Sequence, residues 1–261
     1  MTTVVETARG AFLVEESGDP DGRALVFVAG LGDDHRSWSD VVPAFSCYRC
    51  LTFDNRGIGG SITSPGPYTV AQLAADAHAV TSALGLADLT VVGSSMGGAI
   101  CQEWMLAHPD AIRRAVLTNT WAQSDAFCVL LFEHLITLAD KGLATELAQF
   151  ANLLSFSPEY LAGHPEADWA DGSGFNLLGF AAAARACAGH DTLDRIHRIA
   201  RPTLVLAGEQ DILTRPELAE PLADRLPRGE LATIDAGHMT FQEDPAGWVA
   251  IVTDWLSRTP G

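Results

Sequence analysis

The feature that most restricts how this chain folds is the segment Leu89-Thr90-Val91-Val92-Gly93-Ser94-Ser95-Met96-Gly97-Gly98. A short apolar run ends there in small residues and passes directly into a helical pattern holding Ile100, Trp104 and Met105. A strand that becomes a helix within a few residues needs glycine around the turning residue, because side chains there would strike the strand or the helix. As a bare pattern Gly93-x-Ser95-x-Gly97 also fits a tight structural turn. Between a strand and a helix it reads as a nucleophile elbow that presents the Ser95 hydroxyl.

Other short apolar runs resemble the one before the elbow: Ala24 to Val28, Tyr48 to Phe53, Ala115 to Leu117 and Thr203 to Ala207. Unbroken apolar runs of this length fit strands buried on both faces of a parallel sheet, and stretches of helical period separate most of them. The alternation predicts an α/β fold with a mostly parallel, doubly wound sheet. One helix starts at Thr69, where Gln72 completes a capping box, and Gly85 closes it. Val70, Leu73, Ala77, Val80 and Leu84 give it one apolar stripe. A last helix starts at Asp244-Pro245, with aspartate as cap and proline in the first turn. From Trp121 to about His190 strand patterns give way to helical ones, and the alanine run Ala181 to Ala184 suits a helix. The expected division is a core of residues 1–120 and 191–261 with a helical cap of 121–190 inserted.

Composition narrows the class of function. The 261 residues carry 33 acidic against 16 basic side chains, a net charge of −17, which disfavours nucleic acid and anionic membrane as partners. No apolar run reaches bilayer length and the N-terminal segment has no basic-then-apolar pattern, so the expectation is a cytoplasmic protein. Five scattered cysteines fit reduced thiols. Cys47 and Cys50 have a metal-like spacing but no second ligand pair, and they open a strand.

A serine hydroxyl is a poor nucleophile without a base, so the elbow calls for a histidine and an orienting acid later in the chain. Asp211 follows the run Leu204 to Gly208, and His238 stands in the glycine-led loop Ile234 to Met239. Serine, aspartate, histidine is the chain order of this architecture. Glu209 and Asp235 are competing acids; Asp235 lies too near His238 in sequence, and Glu209 precedes the loop apex. The developing oxyanion needs backbone donors, assigned to the amides of Met96, directly after the nucleophile, and Leu31, in the loop after Val28. Asp33, Asp34 and His35 follow and read as a solvated loop.

Ala29-Gly30-Leu31-Gly32, Asp54-Asn55-Arg56-Gly57-Ile58-Gly59-Gly60-Ser61, the Ser95 elbow and the Asp211 and His238 loops occur in an order that resembles the α/β-hydrolase superfamily over nearly the whole chain. The resemblance is greatest to small capped members that include 3-oxoadipate enol-lactonases, cofactor-free haloperoxidases and short-chain esterases. It implies a structural role for Arg56. Ala29 stands where many relatives have histidine, a change that bears on loop packing. A serine nucleophile argues against the dehalogenase and epoxide-hydrolase branches.

The expected activity is cofactor-independent hydrolysis of a small ester, lactone or thioester through an acyl-enzyme. Carbon–carbon bond hydrolysis and biosynthetic acyl transfer or cyclisation on the same triad are alternatives, and a ligand-binding protein with an idle site is a third. No dinucleotide, phosphate-loop or metal-ligand motif is present, so neither cofactor nor metal is expected. Trp121, Phe127, Phe132, Phe180 and Arg185 are candidate substrate contacts in the cap. Its few cations, Lys141 and Arg185, point to a neutral or singly charged small-molecule substrate.

Overall fold

Alternate residues of the central strands belong to two different hydrophobic cores, which is what a sheet covered on both faces requires. The computed structural model describes residues 1–259. It contains eight strands: β1 Thr2–Thr7, β2 Gly10–Gly18, β3 Ala24–Val28, β4 Arg49–Phe53, β5 Leu89–Ser94, β6 Ile112–Thr118, β7 Thr203–Gly208 and β8 Gly229–Ile234. They form one sheet in the order β1-β2-β4-β3-β5-β6-β7-β8. The β1–β2 and β2–β4 pairings are antiparallel and the other five parallel. Val26, Val28, Val91, Leu117 and Val205 face one core, while Leu25, Phe27, Val92, Val116 and Leu206 face the other.

Helices α1 (Val70–Ala83) and α2 (Met96–Ala107) pack on the first face, and α7 (Pro216–Arg225) joins them. The short α8 (Thr240–Glu243) and the last helix, α9 (Pro245–Arg258), cover the second, where Trp38 stacks on Phe241 with ring centroids 4.2 Å apart. The capping box of α1 is complete: Thr69 Oγ1 accepts from the Gln72 amide, and Gln72 Oε1 accepts from the Thr69 amide. Asp244 caps α9 by accepting from the Gly247 amide, with Pro245 opening the helix. Arg56 forms two hydrogen bonds to the buried Asp76, so it serves the framework. Cys50 is buried in β4 and its Sγ donates to the Phe45 carbonyl, while burial pushes the thiol pKa up to about 12. No helix among the described residues is long and apolar enough to cross a membrane.

Between β6 and β7 run four helices, α3 (Ala126–Asp140), α4 (Ala144–Ser155), α5 (Pro158–Gly163) and α6 (Leu177–Ala188). The run Ala181 to Ala184 is buried along α6, where small side chains let α6 lie close to α3 and α1. At the start of α6, Gly179 meets the loop after β4: a Cβ there would stand 2.0 Å from the Gly57 carbonyl oxygen. Gly57 itself has φ +82°, a left-handed conformation that glycine adopts without strain.

This contact predicts an inversion of helix propensity. Alanine normally stabilises a helix by up to ~1 kcal/mol relative to glycine. At Gly179 the added methyl must push α6 from the core, and overpacking of this kind costs about 1–3 kcal/mol. Gly179→Ala is therefore expected to lower the denaturation midpoint, whereas Gly163→Ala, with nothing within 4 Å of the new Cβ, should leave it unchanged or raise it. Equal behaviour of the two variants in urea titrations would contradict the packing described.

Candidate active site

Ser95 joins β5 to α2 with φ 54° and ψ −119°, a conformation that a side chain rarely takes without reason. The surroundings hold it there. Its amide donates to the Thr118 carbonyl at 3.0 Å, and Thr120 Oγ1 donates to its carbonyl at 2.8 Å. A Cβ on Gly97 would stand 1.9 Å from the Val28 carbonyl oxygen, and one on Gly93 would stand 2.4 Å from that of Gly97. Helix and strands thus meet backbone to backbone, as the glycine spacing anticipates.

Two further loops complete the constellation. Asp211 follows β7 and His238 follows β8, and both are buried. His238 Nδ1 lies 2.7 Å from Asp211 Oδ2. Asp211 Oδ1 accepts from the amides of Leu213 and Thr214, each at 2.8 Å, and Oδ2 accepts from Asn119 Nδ2, also at 2.8 Å. The Thr214 hydroxyl sits 2.8 Å from Asp211 Oδ2 and 3.1 Å from His238 Nδ1. With Nδ1–H directed at the carboxylate, the neutral imidazole keeps its lone pair on Nε2. Ser95 and His238 both line a cavity of about 180 Å³.

The charges follow from these contacts. Burial alone would raise the Asp211 pKa, but the His238 charge and hydrogen bonds from His238, Asn119 and Thr214 outweigh it and bring it below the usual value. Burial would likewise lower His238, yet the charge and hydrogen bond of Asp211, with Asp33 and Glu243 adding to them, raise it above 6.5. The competing acids are elsewhere. Glu209 accepts from the Thr233 hydroxyl and Asp235 from Gln210 Nε2, and both are exposed.

Leu31 lines the cavity, and Met96, the first residue of α2, is buried behind Ser95. Of the cap aromatics expected at the substrate, Phe132 and Phe180 do line the cavity, joined by Leu135, Phe156 and Phe175. Three expected contacts lie away from it. Trp121 is fully buried, packs on Phe132 and donates to the Ser124 hydroxyl. Phe127 is half exposed beneath the Arg215 guanidinium, and Arg185 is paired with Asp140 outside the cavity. Trp121 stands in the loop between β6 and α3, whereas Phe127 and Arg185 are on α3 and α6, and helical patterning could not tell their inward from their outward faces.

Residues missed by sequence reasoning are Asn119 and Thr214, which hold Asp211, and Asp33. The loop after β3 is not simply solvated: Asp33 lines the cavity, and burial pushes its pKa up to about 6. Asp34 is taken up by Arg36, and His35 Nδ1 lies 2.7 Å from the buried Asp54. Asp34, His35 and Asp54 gather ligand-type atoms within 4.8 Å, but Asp54 also accepts from the amides of His35 and Gly60. This cluster knits the loop to the turn after β4. Asn119 has φ 48°, and an asparagine directly after a buried strand was the one available signal of a special turn.

The profile of the alpha/beta hydrolase fold matches residues 23–245. A Mycobacterium tuberculosis protein carrying the name non-heme bromoperoxidase BpoC is 35% identical over 241 residues, covering 88% of this chain and 90% of the relative. The 3-oxoadipate enol-lactonase 2 of Acinetobacter baylyi is 31% identical over 250 residues, covering 92% and 91%. Among solved structures, the enol-lactonase from Burkholderia xenovorans superposes with a TM-score of 0.92 at 25% identity, covering 98% of this chain and all of that one.

The opposed forces on His238 give an activity-independent check. Asp211→Asn removes the charge that raises the imidazole pKa and leaves the burial that lowers it, so the His238 pKa should fall well below that of the wild type. Histidine titration by NMR, with His238→Gln identifying the resonance, reads the shift directly. An unchanged value would mean that Asp211 does not control this imidazole.

Proposed function

The chain is an enzyme of the alpha/beta hydrolase fold family, and on that premise we propose that it cleaves a small neutral or singly charged ester, lactone or thioester by serine catalysis, without a cofactor. The observation that carries this reading is a serine on a strained elbow, sharing a cavity with an imidazole whose far nitrogen is held by a buried carboxylate. His238 Nε2 accepts the Ser95 proton as Oγ attacks the carbonyl carbon. The negative charge that gathers on the carbonyl oxygen is met by the amides of Met96 and Leu31, the first of them at the N-terminus of α2. Collapse expels the leaving oxygen or sulfur, which takes the proton back from the imidazolium, and leaves Ser95 acylated. Water, deprotonated by the same imidazole, then attacks the acyl-enzyme and releases the acid.

Asp211 keeps its negative charge throughout. Its role is to fix the tautomer and to stabilise the imidazolium, and Asn119 and Thr214 keep the carboxylate in place. The walls support the proposed substrate class. Among the described residues lining the cavity there is no lysine or arginine, while leucine, phenylalanine and methionine side chains make up much of the surface. A dianionic substrate would leave its carboxylates desolvated and unpaired there. The relative named for enol-lactone hydrolysis supports acyl chemistry at this elbow, and the cavity supports a substrate less charged than a dicarboxylate.

Ser95→Ala and His238→Ala should each lower kcat by roughly 10³-fold or more with the fold intact, since neither side chain anchors the core. Asp211→Asn should be severe and Glu209→Gln mild; the reverse would identify a different acid. Because His238 must be neutral to act and its pKa stands above 6.5, activity should decline as pH falls through a value on the alkaline side of 6.5. Esters and lactones assayed across pH 5–9 test this, and full activity of purified Ser95→Ala would remove the mechanism.

A further inference from the structure

One ionisable group in the cavity performs no step of the serine mechanism, although its charge adds to those that raise the His238 pKa. Asp33 sits in the loop after β3 and is the only acidic side chain among the described residues lining the cavity. It stands beside the nucleophile: Asp33 Oδ2 and Ser95 Cβ lie 2.9 Å and 3.4 Å from the point where a Cβ on Gly30 would be. The other acids of this region are engaged, Asp34 by Arg36 and Asp54 by His35 and the Gly60 amide. Asp33 has no hydrogen-bond or ion-pair partner among the described residues, and neither lysine nor arginine approaches it along the cavity wall.

A carboxylate in a largely apolar cavity is costly unless a donor meets it, and when ionised it can only accept. Among the described residues no donor is within hydrogen-bond reach of Asp33, only the charge of His238 acts to lower its pKa, and the open side of Asp33 is the space that a substrate would fill. We propose that Asp33 is a specificity-determining residue that receives a protonated amine borne by the substrate close to its scissile carbonyl, and that it turns away substrates bearing a carboxylate there. The class is short amino esters, thioesters or lactones. This rests on the hydrolase reading above and narrows its substrate. The same charge that attracts an ammonium repels a carboxylate at short range in a medium that screens poorly. With its pKa raised to about 6, Asp33 is ionised at pH 8, where the base His238 is also competent.

The test uses three p-nitrophenyl esters of equal acyl length, ending in an ammonium, a methyl or a carboxylate group, assayed at pH 8 with each rate divided by the ester's own hydroxide-catalysed rate. The wild-type kcat/KM should favour ammonium over methyl and methyl over carboxylate, with an ammonium-to-carboxylate ratio of about 100-fold or more. Asp33→Glu should keep the order and Asp33→Asn should shrink the ratio to a few-fold. A flat ratio in the wild type, with methyl-ester hydrolysis still dependent on Ser95, would overturn the inference and leave the hydrolase reading standing. Equal slowing of all three esters in Asp33→Asn, with the ratio kept, would overturn it in favour of a role in supporting the His238 imidazolium. If no ester is turned over through Ser95, the hydrolase reading fails instead. Calorimetric binding of butylammonium against butanol to the wild type then decides, with equal or weaker binding of the ammonium contradicting the role of Asp33.

Discussion

The backbone contact between α2 and the end of β3 is the constraint from which the rest of the site follows. With 1.9 Å between a notional Gly97 Cβ and the Val28 carbonyl oxygen, no other residue fits at Gly97 without separating helix from strand. The approach allows Ser95 its unusual backbone angles, a strain of about 1–3 kcal/mol that must be offset by the packing around it. The hydrogen bonds from the Ser95 amide and to its carbonyl, and the α2 helix that starts at the next residue, supply that support. It also brings the loop after β3, with Leu31 and Asp33, against Ser95. One close contact thus places Ser95, the amides proposed as oxyanion donors and the neighbouring carboxylate at once.

Parallel strands then gather the remaining groups. Ser95 follows β5, Asn119 follows β6, Asp211 follows β7 and His238 follows β8, so four adjacent strands deliver their successors to one edge of the sheet. Asp211 remains charged in a buried position because several donors converge on it, and the charge in turn stabilises the imidazolium. Folding stability inherits both shifts. The depressed Asp211 contributes stability that is fully present above its ordinary 3.8 and fades as pH falls through its folded value. The raised His238 contributes stability that is present below 6.5 and is lost as pH rises through its folded value. The pair is at full strength between the two ordinary values, while the proposed mechanism needs the imidazole neutral, on the alkaline side.

Much of this was legible in the sequence because it is written in local patterns. The buried strands show as apolar runs, α1 and α9 carry their caps in sequence, and the elbow combines a motif with a strand and a helix. β1 and β2 escaped because they bury few residues: only Val5 is buried in the edge strand β1 and only Phe12 and Val14 in β2, so neither shows an unbroken apolar run. The cap showed its helices but not their faces. Phe127, Phe132 and Trp121 differ in whether they meet solvent, the cavity or the core, and that depends on the rotation of α3 and its partners. Asp33 was misread for a related reason. A run of polar residues after a strand ordinarily meets water, and only the cap above it and the elbow beside it turn this loop inward.

The cap is not fastened independently of the chemistry. Directly after His238, the Met239 amide donates to the Ser155 carbonyl at the end of α4, at 3.0 Å. Glu243, on α8, accepts from the Ser157 amide at 2.9 Å and its hydroxyl at 2.6 Å, so it caps the start of α5 from the core side. Asn152, Ser155 and Phe156, which line the cavity between these anchors, therefore belong to the same short segment that braces the histidine loop. A substitution that reshapes this wall must either leave the Ser155 and Ser157 backbone in place or move His238 with it. Phe132 and Phe180, on α3 and α6, are free of that tether because α6 is anchored through Gly57 and Gly179 instead. On the proposed mechanism, substrate choice through α3 and α6 can vary while His238 stays in register, whereas substrate choice through α4 and α5 is tied to the position of His238 itself.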